Sequence, residues 1–260
     1  MGIIDTHAHL FSADFDNDLV DIINRAKKVG VEKVLLPNID ETTIEILKKC
    51  VAEDSDFLIP MMGLHPTSIK ENFRNQLEHI YNELNNSKYC AIGEIGIDLY
   101  WDKSLQNEQI LAFEEQLKWS AEMDLPVSIH FRDATKEVIS SIKRVGETNL
   151  RGVFHSFGGN KDELEYILRL KNFMIGVNGV VTFKNSGLKD TLFNCPAERV
   201  VMETDSPYLA PVPYRGKRNE SSYIRYILRE LSEIWKITEE EVSNITSVNA
   251  KNIFGLELNS

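Results

Sequence analysis

Eight short apolar runs, at 2–6, 31–36, 58–64, 90–95, 126–131, 152–157, 173–177 and 199–203, alternate along the chain with longer amphipathic stretches. A short run with no polar side reads as a strand covered on both faces. The stretches between carry helical spacing. Leu19, Ile22, Ile23, Ala26 and Val29 share one face, and Ile110, Phe113, Leu117 and Ala121 share another. Leu164, Ile167, Leu168 and Lys171 mark a third, after a cap at Asn160 or Asp162. Helical segments at 222–235, 238–245 and 247–254 close the chain. Strands and helices in regular turn predict a parallel sheet with helices outside it. A doubly wound open sheet satisfies the same alternation. The count of eight and the positions of the unusual polar residues favour an α/β fold of the (β/α)8 TIM-barrel type. The 260 residues are close to the usual size of such a barrel, and no linker, repeat or low-complexity segment interrupts them, so one domain over 1–260 is expected.

The composition narrows the function. With 42% hydrophobic residues the chain can bury a sizeable core, and its net charge of −11 argues against coating nucleic acid through a broad basic surface. That charge leaves open a phosphate engaged by metal ions in one pocket. Cys50, Cys90 and Cys195 are far apart, with neither metal-site nor disulfide spacing, which fits a reducing compartment. No leader pattern and no apolar stretch of about 18 residues is evident, so a cytoplasmic protein without a membrane partner, monomeric or weakly oligomeric, is expected.

The ionisable residues are placed unusually. The first run leads into Asp5-Thr6-His7-Ala8-His9, and on a strand residues two apart face the same way, so His7 and His9 project together. His65, His130 and His155 also fall at the ends of apolar runs; only His79 lies in a helical stretch, where a solvated position is expected. Glu94 ends the fourth run and Asp205 follows the eighth. In a barrel all strand C-termini open on one rim, where active sites are built. Burying so many ionisable groups together is costly unless a metal or substrate joins them. His7, His9, Glu94, His130, His155 and Asp205 are too many for one tetrahedral ion. They suffice for two divalent ions roughly 3.5–4 Å apart that share a carboxylate. Glu94 lies between the two groups of histidines in the chain and is the natural bridge. Imidazole-rich ligation suits zinc, manganese, nickel or iron.

Seven segments together resemble one family. They are Asp5-Thr6-His7-Ala8-His9, Gly63-Leu64-His65-Pro66, Gly93-Glu94-Ile95-Gly96-Ile97-Asp98, Pro126-Val127-Ser128-Ile129-His130-Phe131-Arg132, Gly152-Val153-Phe154-His155-Ser156-Phe157, Glu203-Thr204-Asp205-Ser206-Pro207-Tyr208-Leu209 and Arg215-Gly216-Lys217-Arg218-Asn219. In this order, across almost the whole chain, the set resembles the TatD-type metal-dependent deoxyribonucleases of the amidohydrolase-like barrel superfamily. The resemblance implies one metal on His7, His9, Glu94 and Asp205 and a second on Glu94, His130 and His155, with magnesium able to serve in turnover. Ser221 stands where the family often has proline, and Ser156-Phe157-Gly158-Gly159 where it often has Cys-Phe-Ser-Gly. Neither departure touches a ligand.

The resemblance implies hydrolysis of DNA phosphodiester bonds from a strand end, by water activated between two ions. Glu94 and Asp205 are the expected catalytic carboxylates, Asp205 accepting the proton of the attacking water. His65 is assigned to a phosphate oxygen or to support, beside its plainer reading as a backbone-bonded core histidine. Arg132 follows His130 by two and contacts phosphate or pairs with Asp98; Glu203 shares a face with Asp205 and is expected to support the site. Tyr100 and Trp101 stack on a base or pack on a neighbouring loop. Arg215, Lys217 and Arg218, the one dense basic cluster, guide a polyanion or form a solvated loop. The alternative activity is hydrolysis of another ester or amide, such as deacylation of a mischarged tRNA.

Overall fold

The structure, a computed structural model, describes residues 2–256. Eight parallel strands follow the expected runs: β1 (Ile3–Asp5), β2 (Val31–Pro37), β3 (Leu58–Met61), β4 (Ile92–Asp98), β5 (Val127–Arg132), β6 (Gly152–Phe154), β7 (Phe173–Val177) and β8 (Val200–Met202). Two ladders run β1-β2-β3 and β4-β5-β6-β7-β8. Backbone hydrogen bonds join them at both seams. Met62 N–H donates to Ala91 O (3.2 Å) and Gly93 N–H to Met62 O (3.1 Å) between β3 and β4. Thr6 N–H donates to Met202 O (3.0 Å) and Asp205 N–H to His7 O (2.9 Å) between β8 and β1. The strands thus make the ring of a TIM barrel.

Outside the ring lie α1 (Leu19–Lys28), α2 (Ile44–Ala52), α3 (Phe73–Asn86), α4 (Gln106–Met123), α5 (Thr135–Val145), α6 (Lys161–Leu168), α7 (Leu188–Leu192), α8 (Ile224–Trp235) and α9 (Glu239–Phe254). Their apolar stripes bury Ile22 and Ala26, Phe113 and Leu117, or Leu164 and Ile167 against the strands. Asn160 starts α6, its side chain accepting from Asp162 and Glu163 N–H while Glu163 reaches back to Asn160 N–H. Inside the ring Ile4, Leu35, Met61, Ala91, Val153 and Val201 from strands around it pack with Ala250, Ile253 and Phe254 of α9. The last helix therefore plugs the barrel floor, away from the histidines.

Several boundaries differ from those the runs predict. β3, β6 and β8 stop before His65, His155 and Glu203, and His7 and His9 lie beyond β1. The extended chain continues past these strands: His155 N–H still donates to Ile129 O of β5 (3.0 Å) and Glu203 N–H to Val177 O of β7 (3.1 Å), while His9 N–H donates to Ser206 O (2.7 Å) and His65 N–H to Ile39 O (2.8 Å) in loops. The segments at 238–245 and 247–254 are one helix, α9. Thr246 does not break it, because its hydroxyl bonds back to Val242 O (2.8 Å), and Ser247 bonds Gly2 O (2.7 Å). His79 is exposed on α3.

Candidate metal centre

The rim gathers the polar residues of widely separated segments onto Glu94. Its two oxygens face different partners. Oε2 lies 3.2 Å from His7 Nε2 and 3.6 Å from His9 Nε2. Oε1 lies 3.0 Å from His130 Nδ1, 3.2 Å from His155 Nε2 and 3.3 Å from His65 Nε2. Asp205 Oδ1 joins the first side, 3.6 Å from His9 Nε2 and 4.0 Å from His7 Nε2. Two donors held tetrahedrally at about 2.1 Å from one ion stand about 3.4 Å apart. Most of these separations are close to that edge; His7, His9 and Glu94 come together as one possible donor set, His65, Glu94 and His130 as another on the other oxygen, and His155 groups with His7 and Glu203.

The outward nitrogens are held as well. His7 Nδ1 is 3.2 Å from the Ser128 hydroxyl, His130 Nε2 is 2.8 Å from Asp98 Oδ2, and His155 Nδ1 is 3.2 Å from Glu203 Oε1. A carboxylate at the far nitrogen accepts its N–H, so that on ligation the near nitrogen would present its lone pair on the Glu94 side, as ligating histidines require. His9 differs, since its buried Nδ1 has no partner. Ser128, on β5, was not singled out by sequence reasoning; a small polar residue in an apolar strand two before His130 was the available signal. Room for its side chain comes from Gly93, where a Cβ would come within 2.7 Å of Ser128 Cβ. At Gly96 the backbone has φ +149°, and a Cβ would lie 1.9 Å from His130 O, so only glycine lets β4 run this close to β5.

Asp5 lies at the β8–β1 seam, out of sight of the ligands. Its carboxylate accepts from Thr204 N–H (2.8 Å) and Thr204 Oγ1 (2.7 Å), and burial pushes its pKa up to about 7. Asp205 and Ser156 take left-handed backbone (φ 56° and 53°), a conformation uncommon outside glycine that turns the chain at the rim.

Charge is organised around Glu94. Burial alone would raise its pKa, but the imidazoles of His65, His155 and His7 outweigh burial and hold it well below the usual carboxylate range. Burial likewise opposes charge on His155, yet Glu94 and Glu203 hold its pKa well above normal. His130 is raised by its bonds to Asp98 and Glu94 against the opposing effect of burial. His7 is lowered by burial and by the charge of His155, whose ring stacks on it 3.6 Å away. Asp205 is lowered despite burial, chiefly by its bond with His9.

His65 presents a defined face. Its Nδ1 accepts the Thr67 N–H at 3.2 Å, so a neutral ring carries its proton on Nε2, toward Glu94. A proton there can be donated, and the same nitrogen is within reach of an ion held with Glu94 and His130.

A cleft of about 580 Å³ opens over the centre, lined by His9, His65, Glu94, His130, His155 and Asp205, with Arg132, Asp133, Glu163, Tyr208 and Leu209 around its mouth. Arg132 does not pair with Asp98, which is taken by His130 and by the N–H groups of Tyr100 (3.0 Å) and Trp101 (3.3 Å). Arg132 lies instead over the Tyr100 ring, 3.7 Å from its centroid.

Arg215, Lys217 and Arg218 are exposed and are not part of the cleft lining. Each has a partner of its own in the fold, Lys217 lying near the Tyr214 ring. Arg218 forks onto Asp18 (2.9 and 2.6 Å) and Arg215 lies over Phe183. Glu220 holds Arg25 (2.8 Å), and Asn219 Nδ2 donates to Thr204 O (2.8 Å) and Tyr208 O (2.6 Å). This segment pins the Asp205 loop onto α1, a structural task that charge counting in sequence does not reveal.

The family model for TatD related DNase matches residues 4–255. The uncharacterized metal-dependent hydrolase YabD of Bacillus subtilis (strain 168) is 37% identical, over 97% of this chain and 98% of that one. A protein named 3'-5' ssDNA/RNA exonuclease TatD, from Pectobacterium parmentieri, is 31% identical over 98% of this chain and 100% of its own. Among solved structures, the TatD homolog YJJV from Escherichia coli K12 superposes with a TM-score of 0.91 at 28% identity, covering 98% of each chain. Among the described residues no helix is long and apolar enough to cross a membrane.

Proposed function

The chain belongs to the TatD-related DNase family of metal-dependent hydrolases, and on that premise we propose that it hydrolyses DNA phosphodiester bonds, removing nucleotides from a strand end. The observation that carries this reading is the division of Glu94: one oxygen faces His7 and His9, with Asp205 beside His9, and the other faces His130, His155 and His65. That disposition supports two donor sets sharing one carboxylate. A pair of divalent ions held there, magnesium, manganese or zinc, would lower the pKa of a water and offset the charge that grows on phosphoryl oxygens.

The residues do the rest. Asp205, ionised and at the edge of the cleft, accepts the proton of the attacking water. His65, with its proton on Nε2, donates to a phosphoryl oxygen. Asp98 and Glu203 keep His130 and His155 turned inward. The named exonuclease activity of the Pectobacterium relative supports the same substrate class.

Asp133, exposed at the mouth, favours a second reading, because a carboxylate there attracts an ammonium and repels a polyanion. An ester bearing an amino group, as in a mischarged aminoacyl-tRNA, is that alternative. Metal-stripped protein should be given labelled single-stranded DNA, RNA and an aminoacyl ester with each metal in turn. Metal-dependent release of nucleotides from DNA is expected. Ester hydrolysis with intact DNA would replace the first reading by the second.

A further inference from the structure

Beside the cleft, on the side of β4 and β5, two large aromatic rings stand in solvent. Trp101 is 71% exposed and Tyr100 52%. A solvated tryptophan buries little surface and contributes little to the fold. These two are nonetheless held in place. Asp98 Oδ1 accepts the N–H of both, while its Oδ2 holds His130. The backbones of Asp98 and Arg132 stand opposite each other in the β4–β5 ladder. The Arg132 guanidinium lies 3.7 Å over the Tyr100 ring and 5.4 Å from the Trp101 ring, and it is the only lysine or arginine among the described residues lining the cleft. One carboxylate therefore fixes both a metal-side histidine and the turn that presents the rings, and one cation joins the rings to the cleft.

We propose that Trp101, Tyr100 and Arg132 form a stacking subsite for a base of single-stranded nucleic acid, adjoining the phosphodiester held at Glu94. The subsite rests on the nuclease reading for the identity of its ligand. Aromatic faces accept any base, so it confers grip on an unpaired strand rather than sequence preference. Arg132 supplies the complementary charge for the phosphate between that base and the cleft. In duplex DNA the bases are stacked on one another and cannot use the platform, so the subsite selects single strands.

The test compares an oligothymidylate with the same oligonucleotide made abasic throughout, with binding read by fluorescence anisotropy of a labelled strand in the absence of turnover. Stacking on one aromatic residue is worth roughly five- to a hundredfold in affinity. The wild-type chain should prefer the base-bearing strand by at least about fivefold. Trp101→Ala should abolish most of that preference, and Trp101→Phe should keep much of it. Equal binding of the two strands by the wild type, or an undiminished preference in Trp101→Ala, would overturn the subsite. A wild type that cleaves DNA without the preference loses the subsite and keeps the nuclease reading. One that shows the preference but cleaves no DNA keeps the subsite and loses the nuclease reading.

Discussion

Gly176 on β7 offers a way to disturb the centre without altering any group in it. A Cβ built there would lie 2.1 Å from Glu203 Oε2 and 2.6 Å from its Cδ. Carbon and oxygen in contact stand about 3.3 Å apart, so Gly176→Ala must displace one partner by roughly 1.2 Å. The strand cannot retreat cheaply, because Gly176 pairs with Val201 in the β7–β8 ladder. Glu203 is therefore expected to move. It is fully buried and accepts from Ser156 N–H and His155 Nδ1 through Oε1, and both bonds stretch together. Bonds to a charged group contribute about 1.5–3 kcal/mol each. His155 would lose its orientation, and displaced supporting carboxylates of this kind typically cost about 10–100-fold in metal affinity or activity. Calorimetric titration of Mn2+ into metal-free protein measures the loss. The same change made in Glu203→Ala, where the methyl finds space, should add little, so the two substitutions should be strongly non-additive. A Gly176→Ala protein with wild-type metal affinity, or a double variant whose losses simply add, would refute the reasoning.

Asp205→Asn should stay folded and lose about 10²–10⁴-fold in DNA hydrolysis, as expected for removal of a proton acceptor; near-normal turnover on labelled DNA would remove Asp205 from the chemistry. Arg218→Ala should lower the thermal midpoint, because it releases Asp18 and part of the loop bearing Asp205, at a cost on the order of 1 kcal/mol for a partly exposed pair. Lys217→Ala should leave the midpoint alone and only flatten the salt dependence of DNA binding. Metal binding should release protons, since carboxylates raise the pKa of His130 and His155 in the metal-free chain and ligation needs both imidazoles neutral. Affinity should then rise with pH, and calorimetry in two buffers of different ionisation enthalpy should report it; identical heats would contradict the shift.

The ring of strands was legible because each strand is buried on both faces and so reads as an unbroken apolar run between amphipathic helices. The gathering of His7, His9, Glu94, His130, His155 and Asp205 at one rim was legible for a related reason: a histidine or acid closing such a run has no stabilising role in an apolar core. Other features lie in three dimensions only. Ser128 reads as an ordinary strand residue until Gly93 is seen to make room for it beside His7. Gly176 reads as a weak strand residue until Glu203 fills its missing side chain. The Arg218–Asp18 pair joins residues 200 apart in sequence, so a basic cluster on paper becomes a clasp in the fold. Thr246 and Ser247 suggested a break in the last helix, and their hydroxyls instead found carbonyl partners that let α9 continue.

The account's central claim is that Glu94 divides two metal positions that act together. Its most direct test is stepwise addition of Mn2+ to metal-free protein, with cleavage of labelled single-stranded DNA followed at each step in wild type and Glu94→Gln. Activity should stay low through the first equivalent, climb with the second and level off there, while Glu94→Gln fills only weakly and stays inactive. Full activity at one equivalent, or a Glu94→Gln protein that binds two ions and cleaves as the wild type does, would contradict it.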